Sequence, residues 1–128
     1  MPRFVVLRHD MPPHSSRPTH WDFMVEMGNA LRTWALAEEP AADREIAATP
    51  LADHRLAYLD YEGPVSGNRG YVTQWDRGEC TIQEATDERT ILVAHGQKLT
   101  GRIQIKSTQA ASPKAAFLWQ VSFPTSNL

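Results

Sequence analysis

Cysteine is almost absent from this sequence: Cys80 stands alone, which excludes an internal disulfide and any thiolate metal cluster. Its surroundings read as a strand, so an ordinary strand residue is expected there in preference to a reactive nucleophile. No charge-free apolar segment reaches the length needed to cross a bilayer. The opening Met1-Pro2-Arg3-Phe4 has no signal-peptide core before the first apolar run, so the cytoplasm is the expected address and no membrane partner is expected. Basic charge is also scarce. Thirteen Lys and Arg stand against 15 Asp and Glu, a net charge of −2, and they are spread along the chain. A broad phosphate-binding face is therefore excluded, and any polyanion contact must be local. There is no internal repeat and no low-complexity segment. The glycine-studded stretch from Gly63 to Gly70 lacks the terminal Lys-Ser/Thr of a P-loop and precedes a strand, which excludes a nucleotide cradle of that kind.

What remains is an ordinary globular composition, 41% hydrophobic and 22% charged over 128 residues, which predicts one domain spanning 1–128 with a real core. Period-two alternation dominates. Phe4 to Leu7 is an apolar run. His20, Asp22, Met24 and Glu26 alternate with Trp21, Phe23, Val25 and Met27, and the two-residue turn Gly28-Asn29 leads into a return strand, Ala30 to Leu36. Arg44 to Thr49 allows a helix through its alanines but reads better as a short strand, and Pro50 ends it either way; Asp53 to Tyr58 reads as a helical turn capped by Asp53. Tyr71 to Trp75 and Glu79 to Glu84 are strands separated by a tight turn at Asp76-Arg77-Gly78; Thr90 to His95, Thr100 to Ser107 and Ala116 to Phe123 complete the set, with a frayed tail from Pro124. The pattern predicts a mainly β, small antiparallel barrel of about eight strands with one or two short helical turns, closure removing exposed edges. Trp21, Trp34, Trp75 and Trp119 fall inside strands and are expected in the core or wall.

The chemistry concentrates between His9 and Glu26. On a strand, His20 and Asp22 share a face about 6–7 Å apart at the backbone, close enough for their side chains to converge on one ion. His9 ends the first apolar run, and the Pro-rich loop from Asp10 to Thr19 can bring it alongside His20. Two imidazoles and one carboxylate make an open shell suited to Mn, Fe or Zn; His20 and Asp22 alone also fit a hydrogen-bonded surface pair. Farther on, His54 and Tyr58 are four apart on the expected helical turn and share a face, either as a grip on a phosphoryl oxygen or as a packing pair.

Taken in order, Phe4-Val5-Val6 with His9-Asp10, His20-Trp21-Asp22-Phe23 with Glu26, Thr33-Trp34-Ala35-Leu36, Asp53-His54 with Tyr58, Glu62-Gly63, Trp75-Asp76-Arg77-Gly78 and His95 to Arg102 closely resemble the phosphoesterase domain of bacterial DNA ligase D. The resemblance implies a small β-barrel with Mn-dependent end-healing activity: removal of a 3′-phosphate from a primer strand and trimming of 3′-terminal ribonucleotides. Carried over by position, it implies that His9, His20 and Asp22 hold a divalent metal (Mn first, Zn or Fe as alternatives) and that His54 and Tyr58 meet the scissile phosphate. Asp10 and Glu26 are then expected to orient the ligands or their waters. The implied partner is a nucleic-acid 3′ end, DNA or an RNA/DNA primer-template, with separate ligase or polymerase proteins as further partners of a stand-alone homologue.

The sequence departs from that family at three points. Met24 stands where the family has an arginine, Ala37-Glu38 where it has Pro-Lys, and Leu7 where it has a glutamine. Losing two cations from a phosphate pocket removes about 1.5–3 kcal/mol per charge-assisted bond. The loop before His20 is longer than the family's, and its Arg17 or His14 is a candidate replacement. Two alternatives follow: a metal-binding, catalytically weakened module that recognises nucleic-acid ends, and a small non-haem iron oxygenase using His20-x-Asp22 with a downstream histidine, His54 or His95.

Overall fold

The computed structural model describes residues 1–107 and the backbone of residues 119–122. Among the described residues nine strands follow in chain order: β1 (Arg3–Asp10), β2 (His20–Met27), β3 (Ala30–Leu36), β4 (Glu45–His54), β5 (Gly63–Pro64), β6 (Tyr71–Ala85), β7 (Arg89–Gly96), β8 (Thr100–Ser107) and β9 (Trp119–Ser122). A 3₁₀ turn, Leu56–Leu59, lies between β4 and β5. The strands pair antiparallel in the order β1-β2-β3-β4-β9-β8-β7-β6, and β6 returns to β1. Eight strands thus close into a barrel, as the alternation predicts, while β5 is a two-residue ribbon on β6. No helix among the described residues is long and apolar enough to cross a membrane. The expected strand from Ala116 is described only as Trp119–Ser122; residues 116–118, Phe123 and the expected frayed tail 124–128 lie outside the described residues.

Alternation sends one set of side chains inward. Phe4, Val6, Phe23, Val25, Trp34, Leu36, Ile46, Cys80, Leu92, Ile103 and Ile105 form one buried cluster contributed by strands all round the barrel. Phe23 sits at its centre, its ring stacked on Phe4 with centroids 5.9 Å apart and tilted against Trp34 at 6.5 Å. Trp21 and Trp75 pack against the same cluster from the wall. Burial pushes the Cys80 thiol up to about 11, in keeping with an inert strand residue. The opposite set, Val5, Leu7, Met24, Leu31, Leu59 and Val72, forms a second, smaller cluster on the outer face of the wall, covered by the 3₁₀ turn.

Three local expectations are corrected by strand pairing. β4 does not stop at Pro50 but runs to His54, pairing Trp34↔Pro50 and Leu31↔His54. Its pairs with β9 end at Ala48↔Trp119, so Pro50 lies where only β3 pairs with it and its missing N–H interrupts no second ladder. Because Asp53 is still on that extended strand, it caps nothing; the 3₁₀ turn begins after Arg55, in extended backbone and without a side-chain cap. Asp76-Arg77-Gly78 is not a turn either, since β6 passes straight through it. Asp76, only 4% exposed, accepts hydrogen bonds from the backbone N–H groups of Gln97, Lys98 and Leu99 and so stitches the β7–β8 connection. Gly78 allows the backbone to press against His95 and Gly96, where a Cβ would collide with the His95 carbonyl. Turn-type residues here serve a neighbouring hairpin.

Candidate metal centre and its cleft

The antiparallel register of β1 and β2 sets His9 directly opposite His20. Asp22, two residues along β2, shares the outward face with His20, and the ring centroids of the two histidines are 4.6 Å apart. This polar trio continues the outer apolar cluster: Met24 is 1% exposed, and Asp22 and His20 are 3% and 5% exposed. One nitrogen from each imidazole and one carboxylate oxygen all lie within 4.8 Å of one another.

Two backbone carbonyls fix which nitrogens face inward. His20 Nδ1 lies 3.0 Å from the Pro18 carbonyl oxygen, so the proton resides there and Nε2 presents a lone pair. His9 Nε2 is held 2.6 Å from the Arg69 carbonyl oxygen, which turns Nδ1 toward Asp22 Oδ2 at 3.1 Å. On the other carboxylate oxygen, Asp22 Oδ1, His20 Nε2 closes to 3.3 Å without the geometry of a hydrogen bond, leaving Oδ1 buried with no donor. A buried acceptor facing an imidazole lone pair is unfavourable unless a cation lies between them. The hydrogen bond to Asp22 raises the His9 pKa against the opposing effect of burial. Burial alone would raise the Asp22 carboxyl, but the two facing imidazoles overcome it and hold the group down to about 2. The donor set, the orphaned oxygen and the carbonyl-fixed tautomers fit a divalent ion of the borderline class.

Asp10 and Glu26, expected to orient these ligands, are engaged elsewhere. Asp10 follows His9 on the strand, so it points to the other face and accepts from Arg8 Nε at 3.1 Å. Glu26, four residues beyond Asp22, accepts from the Arg3 backbone N–H at 3.0 Å. The carbonyls of Pro18 and Arg69 take over the orienting role. Bringing the Arg69 carbonyl down to His9 requires Gly70, whose φ is +95° and where a Cβ would run into the Asp10 carbonyl.

The trio forms one wall of a cleft of about 510 Å³. The opposite wall is Leu51 to Arg55 with Tyr58, and Met11, Arg17, Val65 and Arg69 complete the rim. His54 and Tyr58 meet here as expected, although not on one helical turn: His54 ends β4 and Tyr58 belongs to the 3₁₀ turn, their rings edge-on at 5.5 Å. His54 Nδ1 is tied to the Ala52 carbonyl oxygen at 2.9 Å, which leaves Nε2 to act as donor or acceptor. Arg17 lines the cleft; His14 does not, and its Nε2 instead meets Asn68 Nδ2 at 3.3 Å, bridging two loops. Arg55 and Arg69 are not foreshadowed by the sequence. Arg55 immediately follows His54, and Arg69 lies in the loop that fails the P-loop pattern; a loop can bring an arginine to phosphate without that motif.

The remaining candidates fall away from the trio. Met24 is packed with Leu59 and Leu31 in the outer cluster. Glu38 pairs with Arg44 Nη2 at 3.2 Å on the surface. His95, on β7, lines a separate cleft with Arg3 and Arg77, and neither it nor His54 joins the ligand cluster, which takes its second imidazole from the upstream His9. The expected iron site with a downstream histidine is thereby corrected: the β1–β2 register supplies the ligand first.

Comparison with known proteins adds a family. A family model described as the DNA ligase D 3′-phosphoesterase domain matches residues 12–106. The multifunctional non-homologous end joining protein LigD of Pseudomonas aeruginosa is 32% identical over 107 residues, covering 76% of this chain and 13% of that protein. Its counterpart in Mycobacterium bovis, and the multifunctional non-homologous end joining DNA repair protein LigD of Mycobacterium tuberculosis, are each 28% identical over 114 residues, covering 82% of this chain and 14% of theirs. The chain thus spans only a small part of the length of these relatives.

Proposed function

This chain belongs to the DNA ligase D 3′-phosphoesterase domain family, and on that premise we propose that it is a metal-dependent hydrolase of phosphoesters at nucleic-acid 3′ ends, working in DNA repair. The observation that carries the reading is the buried oxygen of Asp22 without a donor, set against imidazoles whose outer nitrogens are already committed to carbonyls. His9, His20 and Asp22 would hold the divalent ion, with Mn favoured; such an ion, when bound, polarises a phosphoryl oxygen and lowers the pKa of a water.

The chain's own side chains supply the rest. Buried Asp22 stays ionised, and the Pro18 and Arg69 carbonyls keep the two rings from rotating out of position. Across the cleft, the free Nε2 of His54 reaches the substrate either as a donor to a non-bridging oxygen or as the acid that protonates the leaving oxygen. The Tyr58 hydroxyl donates to a second oxygen. Its ring is braced edge-on by His54 and by Tyr61, the latter at 5.6 Å. Incubation with Mn²⁺ and a primer-template bearing a 3′-phosphate is expected to yield a 3′-hydroxyl. His20→Ala should abolish the product. No product from the unmodified protein, or full product from His20→Ala, would refute the proposal.

A second reading is a metal-binding module that recognises ends with weakened chemistry. Met24 and Glu38 favour it, one buried in apolar contacts and the other paired with Arg44, so neither offers the clamp a cation. It predicts end binding with metal and no turnover in the same assay.

A further inference from the structure

Three arginines enter the cleft from three separate loops. Arg17 comes from the loop between β1 and β2, Arg55 from the link between β4 and the 3₁₀ turn, and Arg69 from the loop between β5 and β6. The tip of Arg17 is closest to the chemistry, its Nη2 lying 3.4 Å from His20 Nε2, beside the atoms suited to hold an ion. Arg69 is braced, its Nε and Nη2 donating to the carbonyl and hydroxyl of Ser66 at 2.6 and 3.1 Å. The His14–Asn68 contact at 3.3 Å joins the loop of Arg17 to the loop of Arg69. The cleft's carboxylates are Asp22, already facing both histidines, and Asp53 on the far wall. In a chain of net charge −2, the cleft thus gathers three guanidinium groups against a single carboxylate, Asp53, that does not already face the histidines.

At 3.4 Å the Arg17 guanidinium makes at most one long hydrogen bond to the His20 lone pair, which leaves most of its donors for an anion seated between the trio and the cleft mouth. Arginine's fork matches two oxygens of one phosphate, and three forks exceed what a single phosphate needs. We infer that Arg17, Arg55 and Arg69 form a phosphate clamp that reads two successive phosphates: Arg17 takes the terminal 3′-phosphate, and Arg55 with Arg69 takes the adjoining internucleotide phosphate. The clamp selects a polymer end over a small monoester. The identity of that polymer rests on the phosphoesterase reading; the clamp itself rests on the three arginines.

The test is binding of a fluorescent primer-template by anisotropy in chelator, where turnover is absent, comparing 3′-phosphate with 3′-hydroxyl ends. All three side chains are exposed, so Arg17→Ala, Arg17→Lys, Arg55→Gln and Arg69→Gln leave the core untouched. The unmodified protein is expected to prefer the 3′-phosphate by about 10-fold, as one charge-assisted pair predicts. Arg17→Ala should erase that preference, and Arg17→Lys should restore part of it. Arg55→Gln and Arg69→Gln should weaken both ends alike and each flatten the logarithmic salt dependence by about 0.7–0.9. Equal binding of the two ends by the unmodified protein, a preference that survives Arg17→Ala, or unchanged salt slopes would overturn the clamp. A parallel Mn²⁺ assay separates the two proposals: preference without product sinks the hydrolase and leaves the clamp, whereas product from Arg17→Ala at unchanged KM sinks the clamp and leaves the hydrolase.

Discussion

The two faces of the β1–β2 wall are made from the same alternation and put to opposite uses. Inward, Phe4, Val6, Phe23 and Val25 join a cluster fed by strands all round the barrel, where apolar contact stabilises the fold. Outward, Val5, Leu7 and Met24 begin as a smaller cluster under the 3₁₀ turn, and at one end the apolar row gives way to His9, His20 and Asp22, nearly as buried but polar. The inner side of this wall is apolar along Phe4, Val6, Trp21, Phe23 and Val25, and turns polar only at its end, where Arg8 lies over Trp21 and pairs with Asp10. The outer face accepts three polar groups because a closed barrel beneath it holds the strands in register, and two carbonyls from flanking loops satisfy the outer nitrogens. Stability and chemistry are thus separated by the thickness of one sheet, and mutations on the two sides should read out differently.

The sharpest contrast comes from truncating the inner centre. Phe23→Ala should cost about 3–5 kcal/mol in urea unfolding, because the hole is bounded by Phe4 and Trp34 on a closed wall that cannot collapse. On the outer face, Met24→Arg should cost about 3 kcal/mol, since the new charge would be desolvated among Val5, Leu7, Leu31 and Leu59, and the nearby Asp22 carboxylate already faces the two histidines. In the same thermal or urea assay, a Met24→Arg variant as stable as the unmodified protein would mean that the outer cluster is looser than the burial of Met24 implies. The substitution that would recreate the family's arginine is therefore a lesion here. Gly70→Ala should cost about 1–3 kcal/mol from its positive φ and the clash with Asp10, and should weaken metal binding more than its stability loss accounts for, because it displaces the Arg69 carbonyl from His9. Equilibrium unfolding and metal titration on one preparation would check both effects.

The smallest effect is a pH dependence that belongs to the outer face alone. The Asp22 carboxyl is held at about 2 in the folded chain against an ordinary 3.8. A depressed carboxylate contributes stability that is fully present above the ordinary value and lost as pH falls through the folded one. Metal-free protein should accordingly lose stability between about pH 4 and pH 2, and Asp22→Asn should flatten that segment of the curve. The inner-face variant Phe23→Ala should shift the whole curve without changing its slope there.

Much of this arrangement is legible in the residues, and the part that is not has a physical reason. β2, β3 and β8 begin and end where the alternation places them, because each keeps the same neighbours along its length. β4 and β6 outrun their expected ends because each changes partners midway. β4 leaves β9 at Ala48, and β6 passes from β1 to β7 near Gly78, so that Pro50, Asp76 and Gly78 carry turn chemistry at sites with no turn. His9, His20 and Asp22 can be found from spacing, since a register of one strand against the next aligns them. The carbonyls that orient them cannot, because a backbone oxygen has no residue type to recognise. Arg55 and Arg69 are invisible for a related reason: they reach the cleft through loop paths, which carry no period.

One divalent ion between His9, His20 and Asp22 is what the outer face of this wall is built to hold. Calorimetric titration of metal-free protein with Mn²⁺ measures this directly. One ion per chain is predicted for the unmodified protein and for Phe23→Ala at temperatures where it is folded, with binding lost in His20→Ala and Asp22→Ala. Absence of binding in the unmodified protein, or equal binding after either ligand is removed, would contradict it.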